Sequence, residues 1–201
     1  MRRAVFLDRD GTLNVRPPVH EYVTDISEFV WIEGAREAVA LLARADYLIT
    51  IVSNQRGVAR GLVPLAAIRQ IEKRIERDLA AVGARVVAFR YCFHAFEDAC
   101  SCRKPRPGML LDLATELDLD LERSWTIGDS ETDVLAGQAA GTRTALVGSS
   151  PRRSQPDLAA ASLLDAVAGI VRDPDGRAWP AQGAAAGLST SPLLSNSETS
   201  S

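Results

Sequence analysis

Short apolar runs alternate along this chain with segments in which apolar residues recur every three or four positions. The runs predict five β-strands: AVFL (4–7), YLITIV (47–52), VVAFRY (86–91), WTI (125–127) and TALV (144–147). The periodic segments predict four helices: GAREAVALLARA (34–45), PLAAIRQIEKRIERDLAAV (64–82), GMLLDLATEL (108–117) and ETDVLAGQAAG (131–141). Continuously apolar strands separated by helices are typical of a parallel sheet that is covered on both faces. The pattern therefore predicts a doubly wound α/β fold.

The regular pattern ends near residue 172. Residues 1–172 are expected to form one domain, because a chain of 201 residues is long enough to bury a single core. Residues 173–201 are rich in Gly, Ala, Ser and Pro and have no helical or strand period. We expect this segment to be a disordered tail, since such a composition buries little apolar surface.

The composition excludes several classes of function. Apolar residues make up 46% of the chain and charged residues 24%, which is typical of a globular protein. A net charge of −3 does not favour a nucleic-acid partner. No apolar run approaches the roughly 20 residues that span a bilayer, and the N-terminus reaches acidic residues too soon for a signal peptide. We therefore expect a cytoplasmic monomer without a membrane or nucleic-acid partner.

Polar side chains follow three of the predicted strands at the point where each strand ends. Asp8 and Asp10 follow the first strand, Ser53, Asn54 and Gln55 the second, and Asp129 the fourth. In a doubly wound sheet the carboxyl ends of the strands meet at one edge, where ligands bind. Two carboxylates one residue apart are suited to dividing nucleophilic and acid–base work, and carboxylate oxygens are ligands that Mg²⁺ prefers.

A second group of candidate residues lies in YCFHAFEDACSCRKPRPGM (91–109). The segment holds every cysteine of the chain and one of its two histidines, at Cys92, His94, Cys100 and Cys102. Lone cysteines are usually small core residues. Four nitrogen and sulfur donors in one short window instead favour a tetrahedral structural zinc site. The zinc loop would then fix the residues that follow it, Arg103 and Lys104, which two prolines also stiffen.

Four motifs carry a resemblance to a known family. DRDGT, SNQ, RKPRPG and GDSETD, in that order, resemble the motifs of the haloacid dehalogenase (HAD) superfamily of phosphatases. The resemblance implies that Asp8 attacks phosphorus and that Asp10 protonates the leaving group and then activates water. It also implies that Ser53 and Lys104 hold the transferred phosphoryl group. The side-chain amide of Asn54 is suited to the same phosphoryl oxygens, so we expect Asn54 to bind the substrate as well.

The same resemblance implies the magnesium ligands. They are Asp8, the backbone carbonyl of Asp10, and Asp129. Asp133 is expected behind these ligands, where it would order Lys104 or a water molecule bound to the metal. The cation and the lysine would neutralise the charge that builds up on the phosphoryl oxygens.

The zinc loop and SNQRGVARG (53–61) are similar to one subfamily, the heptose 1,7-bisphosphate 7-phosphatases and the related histidinol-phosphate phosphatases. This similarity implies a capless, open active site in which a zinc loop replaces the cap domain and Arg103 anchors a remote part of the substrate. The segment NVRPPVHEYVTDISEF (14–29) is longer than its counterpart in the subfamily and is expected to face the substrate.

Four functions remain open from the sequence. The first is a heptose bisphosphate phosphatase, and the second is a phosphatase of histidinol phosphate or another small metabolite. The third is a phosphotransferase, which would share the aspartyl-phosphate step. The fourth is a zinc-stabilised binding domain without catalysis, and the presence of both Asp8 and Asp10 argues against it.

Overall fold

All six strands of the central sheet run parallel. The computed structural model describes residues 1–18 and 21–173. The strand order across the sheet is β3-β2-β1-β4-β5-β6. The strands are β1 (Ala4–Leu7), β2 (Leu48–Asn54), β3 (Val86–Cys92), β4 (Trp125–Gly128), β5 (Arg143–Val147) and β6 (Leu158–Ala160). The predicted doubly wound α/β architecture is confirmed, and each of the five predicted strands is present.

Helices cover both faces of the sheet. They are α1 (Ala35–Arg44), α2 (Arg56–Ala59), α3 (Leu65–Ala80), α4 (Gly108–Leu117), α5 (Glu131–Ala140) and α6 (Leu163–Arg172). Helices α1, α3 and α6 contribute to one core layer, and α4 contributes to the other. Among residues 1–18 and 21–173, no helix is both long enough and apolar enough to cross a membrane.

Strand β1 lies at the centre of the sheet and is fully buried. Val5 and Leu7 belong to one core layer, while Ala4 and Phe6 belong to the other. This alternation follows from the pleat, which directs successive side chains to opposite faces. The continuous apolar run AVFL therefore reflects a strand that packs against helices on both sides.

The strand order reverses between β1 and β4, which are hydrogen-bonded neighbours with Leu7 opposite Ile127. The chain winds outward through β2 and β3 on one side of this point and through β5 and β6 on the other. Such a reversal opens a crevice beyond the carboxyl ends of the two strands, because their connections leave in opposite directions. Asp8 and Asp129 follow these strands and therefore face each other across the crevice.

The sequence interpretation missed β6 and α6. Helix α6 begins after Ser162, whose hydroxyl accepts a hydrogen bond from the backbone N–H of Asp165. Its core positions, Leu163, Val167 and Ile170, recur at helical spacing, so both a cap and a periodic face were available as signals. Helix α2 was also missed, because four residues are too few for a period to show.

The described residues contain no separate cap domain. The segment between β1 and α1 holds only a short 3₁₀ turn at Ile26–Glu28, and the segment between β3 and α4 is the loop that carries the cysteines. This agrees with the expected capless architecture. Of the segment expected to form a tail, residues 174–201 lie outside the described residues.

Candidate active site

A buried lysine joins two carboxylates at the bottom of the crevice. Lys104 Nζ lies 2.8 Å from Asp8 Oδ1 and 2.5 Å from Asp133 Oδ1, and it donates a further hydrogen bond of 2.9 Å to the carbonyl oxygen of Val52. Lys104 is only 4% exposed and Asp8 7%. The three groups come from β1, the loop after the cysteines and the start of α5, so the fold brings together residues that are far apart in the chain.

Asn54 fixes the backbone of the lysine loop. Its side-chain amide donates to the carbonyl oxygen of Lys104 at 3.0 Å, and its Oδ1 accepts from the backbone N–H of Lys104 at 3.1 Å. We expected Asn54 to contact phosphoryl oxygens. In the structure its amide group is occupied by this reciprocal pair, and it therefore orients Lys104.

Asp129 lies against the turn that follows β1. A Cβ atom at Gly11 would come within 1.9 Å of Asp129 Oδ2, and Gly11 has a φ of +94°. Only glycine fits both constraints, since a side chain would be strained at this φ and would collide with the carboxylate. The guanidinium of Arg16 forms an ion pair with Asp129. The sequence interpretation gave no role to Arg16.

Asp133 both caps α5 and contacts the buried lysine. Its Oδ2 accepts hydrogen bonds from the backbone N–H of Ser130 at 3.1 Å and from the Ser130 hydroxyl at 2.5 Å. This capping box fixes the first turn of the helix. The other carboxylate oxygen is thereby directed to Lys104. Asp133 thus contacts Lys104, and its role in ordering this lysine stays a prediction.

The charges of this cluster do not balance. Burial raises the pKa of Asp8 to about 6, although the ammonium group of Lys104 opposes the rise. Burial also raises the pKa of Asp129 to about 7, and the negative charge of Asp8 adds to the effect. The carboxylates of Asp133 and Asp8 raise the pKa of Lys104 against the effect of burial. Asp8 and Asp133 thus share the buried Lys104, while Asp129 pairs with the partly exposed Arg16, so three carboxylates face two cations.

The cluster has the chemistry of a divalent-cation site. One oxygen from each of Asp8, Asp129 and Asp133 lies within 4.8 Å of the others. Hard oxygen ligands in this number fit Mg²⁺, which usually retains several water molecules. Asp133 was expected behind the ligands, but its carboxylate lies as near to Asp8 and Asp129 as a direct ligand would. The Asp10 carboxylate is not part of this cluster: it borders the cavity and accepts hydrogen bonds from Arg9, Asn14 and Gln55.

A cavity of about 450 Å³ lies above these groups. Its floor includes Asp8, Asp10, Ser53 and Lys104, which were all predicted site residues. Part of its wall is the loop after β1, including Arg16 and Tyr22. Part of the 14–29 segment therefore lines the cavity, and its contact with the substrate stays a prediction. His20 lies outside the described residues.

Arg103 lies at a neighbouring cavity of about 250 Å³, and Lys104 lines both cavities. The guanidinium of Arg103 stacks on the exposed ring of Phe96 at 4.3 Å from the ring centroid, and Arg56 stacks on the same ring at 4.6 Å. Arg103 also donates a hydrogen bond of 3.3 Å to the carbonyl oxygen of His94. The stacking holds its positive charge beside the predicted phosphate clamp.

The four predicted zinc ligands converge in one cluster. Cys92 Sγ lies 3.6 Å from both His94 Nδ1 and Cys100 Sγ, and Cys102 Sγ lies 3.2 Å from His94 Nδ1 and 3.5 Å from Cys100 Sγ. A tetrahedral site with Zn–S bonds of about 2.3 Å needs sulfur atoms about 3.8 Å apart, so the donor set fits zinc. Burial raises the pKa of Cys102 to about 12. Ionised thiolates at this cluster therefore need a cation.

Known proteins identify the family. A family model described as HAD-hydrolase-like matches residues 101–173. The D-glycero-β-D-manno-heptose-1,7-bisphosphate 7-phosphatase of Pasteurella multocida is 40% identical over 146 residues, which cover 70% of this chain and 78% of the relative. The enzyme of the same name from Pseudomonas putida is 34% identical over 85% of this chain and 98% of its own length. The chain belongs to the D-glycero-β-D-manno-heptose-1,7-bisphosphate 7-phosphatase family.

Solved structures support the same assignment. The D,D-heptose 1,7-bisphosphate phosphatase from B. bronchiseptica, crystallised with magnesium and phosphate, superposes with a TM-score of 0.77 at 31% identity, covering 85% of this chain and 99% of that one. The resemblance to the HAD superfamily and to this subfamily is therefore confirmed. The protein is a phosphatase of the heptose-bisphosphatase family, which excludes the interpretation as a binding domain without catalysis.

Sequence reasoning gave no individual role to three polar residues at this family's site. Arg16 pairs with Asp129, while Arg9 and Gln55 both hold Asp10. Arg9 lies within the motif DRDGT and Gln55 within SNQ, so the sequence showed their positions. Their burial could not be inferred from the sequence, because polar residues at strand ends are more often exposed to solvent.

Proposed function

We propose that this protein removes the C7 phosphate of D-glycero-β-D-manno-heptose 1,7-bisphosphate by way of an aspartyl-phosphate on Asp8. The observation that carries the proposal is the position of Asp8: it is buried at the point where the sheet order reverses, beside Lys104, and at the floor of an open cavity. The substrate is taken from the named activity of relatives that match nearly the whole domain.

The chain's own residues account for the phosphoryl transfer. Asp8 attacks phosphorus, and Lys104, fixed between Asp8 and Asp133, neutralises charge on the phosphoryl oxygens. The Ser53 hydroxyl at the cavity floor donates to the same group. Asp10 gives a proton to the departing sugar oxygen and later removes one from the attacking water.

Two cations complete the proposed site. Mg²⁺, held by Asp8, Asp129, the backbone carbonyl of Asp10 and a third carboxylate from Asp133, would supply charge neutralisation at the phosphoryl oxygens. Zn²⁺, held by the Cys92–Cys102 cluster, would have a structural role in fixing the loop that ends in Arg103 and Lys104.

The guanidinium of Arg103 is proposed to bind the remote phosphate at C1 of the sugar. Its stacking on Phe96 keeps it extended beside the phosphate clamp, and its Nε is buried without a hydrogen-bond partner. A planar guanidinium is suited to a bidentate contact with phosphate, which a lysine would not reproduce.

The test is a comparison of kcat/KM for heptose 1,7-bisphosphate, fructose 1,6-bisphosphate and histidinol phosphate, with ³¹P NMR of the product. We expect heptose 1-phosphate as the product and no turnover by Asp8→Asn. The Arg103→Ala change should raise KM for the bisphosphate much more than for a simple sugar monophosphate. Histidinol phosphate as the best substrate by a wide margin would overturn the proposed substrate but leave the chemistry of Asp8 intact.

A further inference from the structure

The Asp10 carboxylate is held by three side chains at once. Arg9 donates from Nε at 3.1 Å and from Nη2 at 2.9 Å to Oδ1, and also from Nη2 at 2.9 Å to Oδ2. Asn14 donates to Oδ1 at 3.0 Å, and Gln55 donates to Oδ2 at 2.7 Å. Charge-assisted hydrogen bonds of this number leave the carboxylate little rotational freedom.

Arg9 is an unusual residue because its guanidinium is almost fully buried. Its side chain is 1% exposed, and among the described residues its ion-pair partner is Asp10. A buried charge costs several kcal/mol unless it is paired and hydrogen-bonded. The arginine therefore depends on Asp10 as much as Asp10 depends on it, and the pair behaves as a rigid unit next to the turn after β1.

Gln55 connects Asp10 to Ser53, which lies near the end of β2. Its side chain is buried, and Nε2 lies 2.7 Å from Asp10 Oδ2 and 3.1 Å from Ser53 Oγ. Its backbone N–H donates to the carbonyl oxygen of Cys92 at 2.8 Å, which ties the residue to the neighbouring strand. One amide group thus sets the spacing between the acid–base group and the serine at the cavity floor.

We propose that Arg9 and Gln55 are positioning residues that aim Asp10 at the leaving oxygen of the substrate. The inference rests on the proposed function, in which Asp10 carries the proton. Gln55 also fixes the position of Asp10 relative to Ser53. One hydrogen-bond network then holds both the proton donor and the serine that binds the phosphoryl group.

The chemistry predicts which step depends on this network. When Asp8 attacks, the bond from phosphorus to the sugar oxygen breaks, and the proton of Asp10 passes to that oxygen. When water then attacks phosphorus, its proton returns to Asp10 as the bond to Asp8 breaks. An alkoxide is a poor leaving group and needs the first proton, whereas p-nitrophenolate leaves without it. If Asp10 is wrongly oriented, kcat/KM should therefore fall more for the sugar substrate than for the aryl ester.

The experiment measures kcat/KM for heptose 1,7-bisphosphate and for p-nitrophenyl phosphate. The value of kcat/KM reports only the step in which Asp8 is phosphorylated and the leaving group departs. Gln55→Met keeps the size of the side chain and removes its donors. We expect it to lower kcat/KM for the sugar substrate by about 10- to 100-fold, which is a part of the usual contribution of acid–base catalysis. The value of kcat/KM for the aryl ester should fall by less than about 3-fold. Asp10→Asn is the reference and should show the same selectivity more strongly.

Two further variants separate positioning from general damage. Thr50→Val removes a buried hydrogen bond of 3.1 Å to the carbonyl oxygen of Val5 in the same sheet, away from Asp10, and should leave the ratio of the two kcat/KM values unchanged. Arg9→Lys keeps the charge without the fork of donors and should shift the ratio in the direction of Gln55→Met. Melting temperatures of all variants show that each is folded.

The outcomes distinguish the inference from the function on which it rests. An equal fall for both substrates in Gln55→Met and Arg9→Lys would mean that these residues only support the fold, and it would overturn the inference. An unchanged ratio in Asp10→Asn would instead remove the acid role of Asp10 from the proposed function, and the inference with it.

Discussion

Arg16 forms an ion pair with Asp129 across the mouth of the crevice. The arginine side chain is about half exposed, on the loop after β1, while the aspartate is one of the three carboxylates that fit a divalent cation. In the proposed magnesium site, the guanidinium would therefore neutralise a group that Mg²⁺ also needs. Two cations compete for one carboxylate, one of them tethered to the chain and the other free in solution.

Replacement of Arg16 by glutamine should strengthen magnesium binding, because the competing cation is lost. Titration calorimetry should give a Kd for Mg²⁺ about two- to fivefold lower, as expected for loss of one partly exposed ion pair. Arg123→Gln, an exposed arginine before β4 at the opposite edge of the sheet, should leave the Kd unchanged. Weaker magnesium binding in Arg16→Gln would mean that the arginine supports the metal site instead of competing for it.

The stability of the protein in magnesium-free buffer should decrease as the pH rises from 5 to 7. The pKa values of Asp8 and Asp129 are raised from 3.8 to about 6 and about 7, so both groups hold protons more tightly in the folded state than in the unfolded chain. The stability that this provides is complete below the unfolded pKa and is lost as the pH passes through the folded values. Thermal melts across this range measure the decrease.

Two comparisons check the origin of this pH dependence. Asp129→Asn should flatten the upper part of the curve, near pH 7, where Asp129 titrates. Saturating Mg²⁺ should reduce the decrease, because the cation binds the ionised carboxylates. A melting temperature in magnesium-free buffer that rises from pH 5 to 7 would contradict the assignment.

Removal of the buried lysine should destabilise the protein more than removal of an ordinary ion pair. Lys104→Met leaves Asp8 and Asp133 buried without a cation, which should lower the free energy of unfolding by about 3–5 kcal/mol. Urea denaturation without Mg²⁺ measures this loss. The double variant Lys104→Met with Asp133→Asn should recover part of it, since one uncompensated charge is removed, and no recovery would show that the lysine acts through packing instead.

The cysteine cluster should bind one zinc per chain and contribute to folding. Cys100→Ser removes one thiolate and should lower the melting temperature and the zinc content together, because metal binding is coupled to folding. Its effect on the Kd for Mg²⁺ should be smaller, since the carboxylate cluster lies on other segments. Elemental analysis of protein purified without chelators gives the stoichiometry, and absence of zinc would refute the site.

The sequence was sufficient to predict strands β1 to β5, helices α1, α3, α4 and α5, and the convergence of the motif residues, but not β6, α2 or α6. Continuous apolar runs such as AVFL identify buried parallel strands, and the position of Asp8 directly after one places it at the sheet edge. The zinc ligands were predictable because all four lie in one short segment. These features depend on local pattern, which the sequence displays directly.

The remaining features depend on tertiary contacts. Arg9 and Gln55 are buried only because other segments close over them, and neither shows this in its local sequence. Asn54 was assigned to phosphoryl oxygens, but the cysteine loop brings the Lys104 backbone to its amide. The pairing of Arg16 with Asp129 likewise joins two segments whose separation in the chain conceals their proximity.

The two metal sites are assembled from very different spans of the chain, and this has a consequence for synthesis. Cys92, at the end of β3, and Cys102 lie close together in the chain, whereas Asp8 must wait for Asp129, which follows a strand that is made much later. Local loops close quickly, and contacts between distant segments form slowly. A chain emerging from the ribosome would therefore complete its cysteine loop first, while the active site at the carboxyl edge of the sheet is still incomplete. A released fragment that ends before residue 125 would contain all four proposed zinc ligands and lack Asp129, so it would have no phosphatase site.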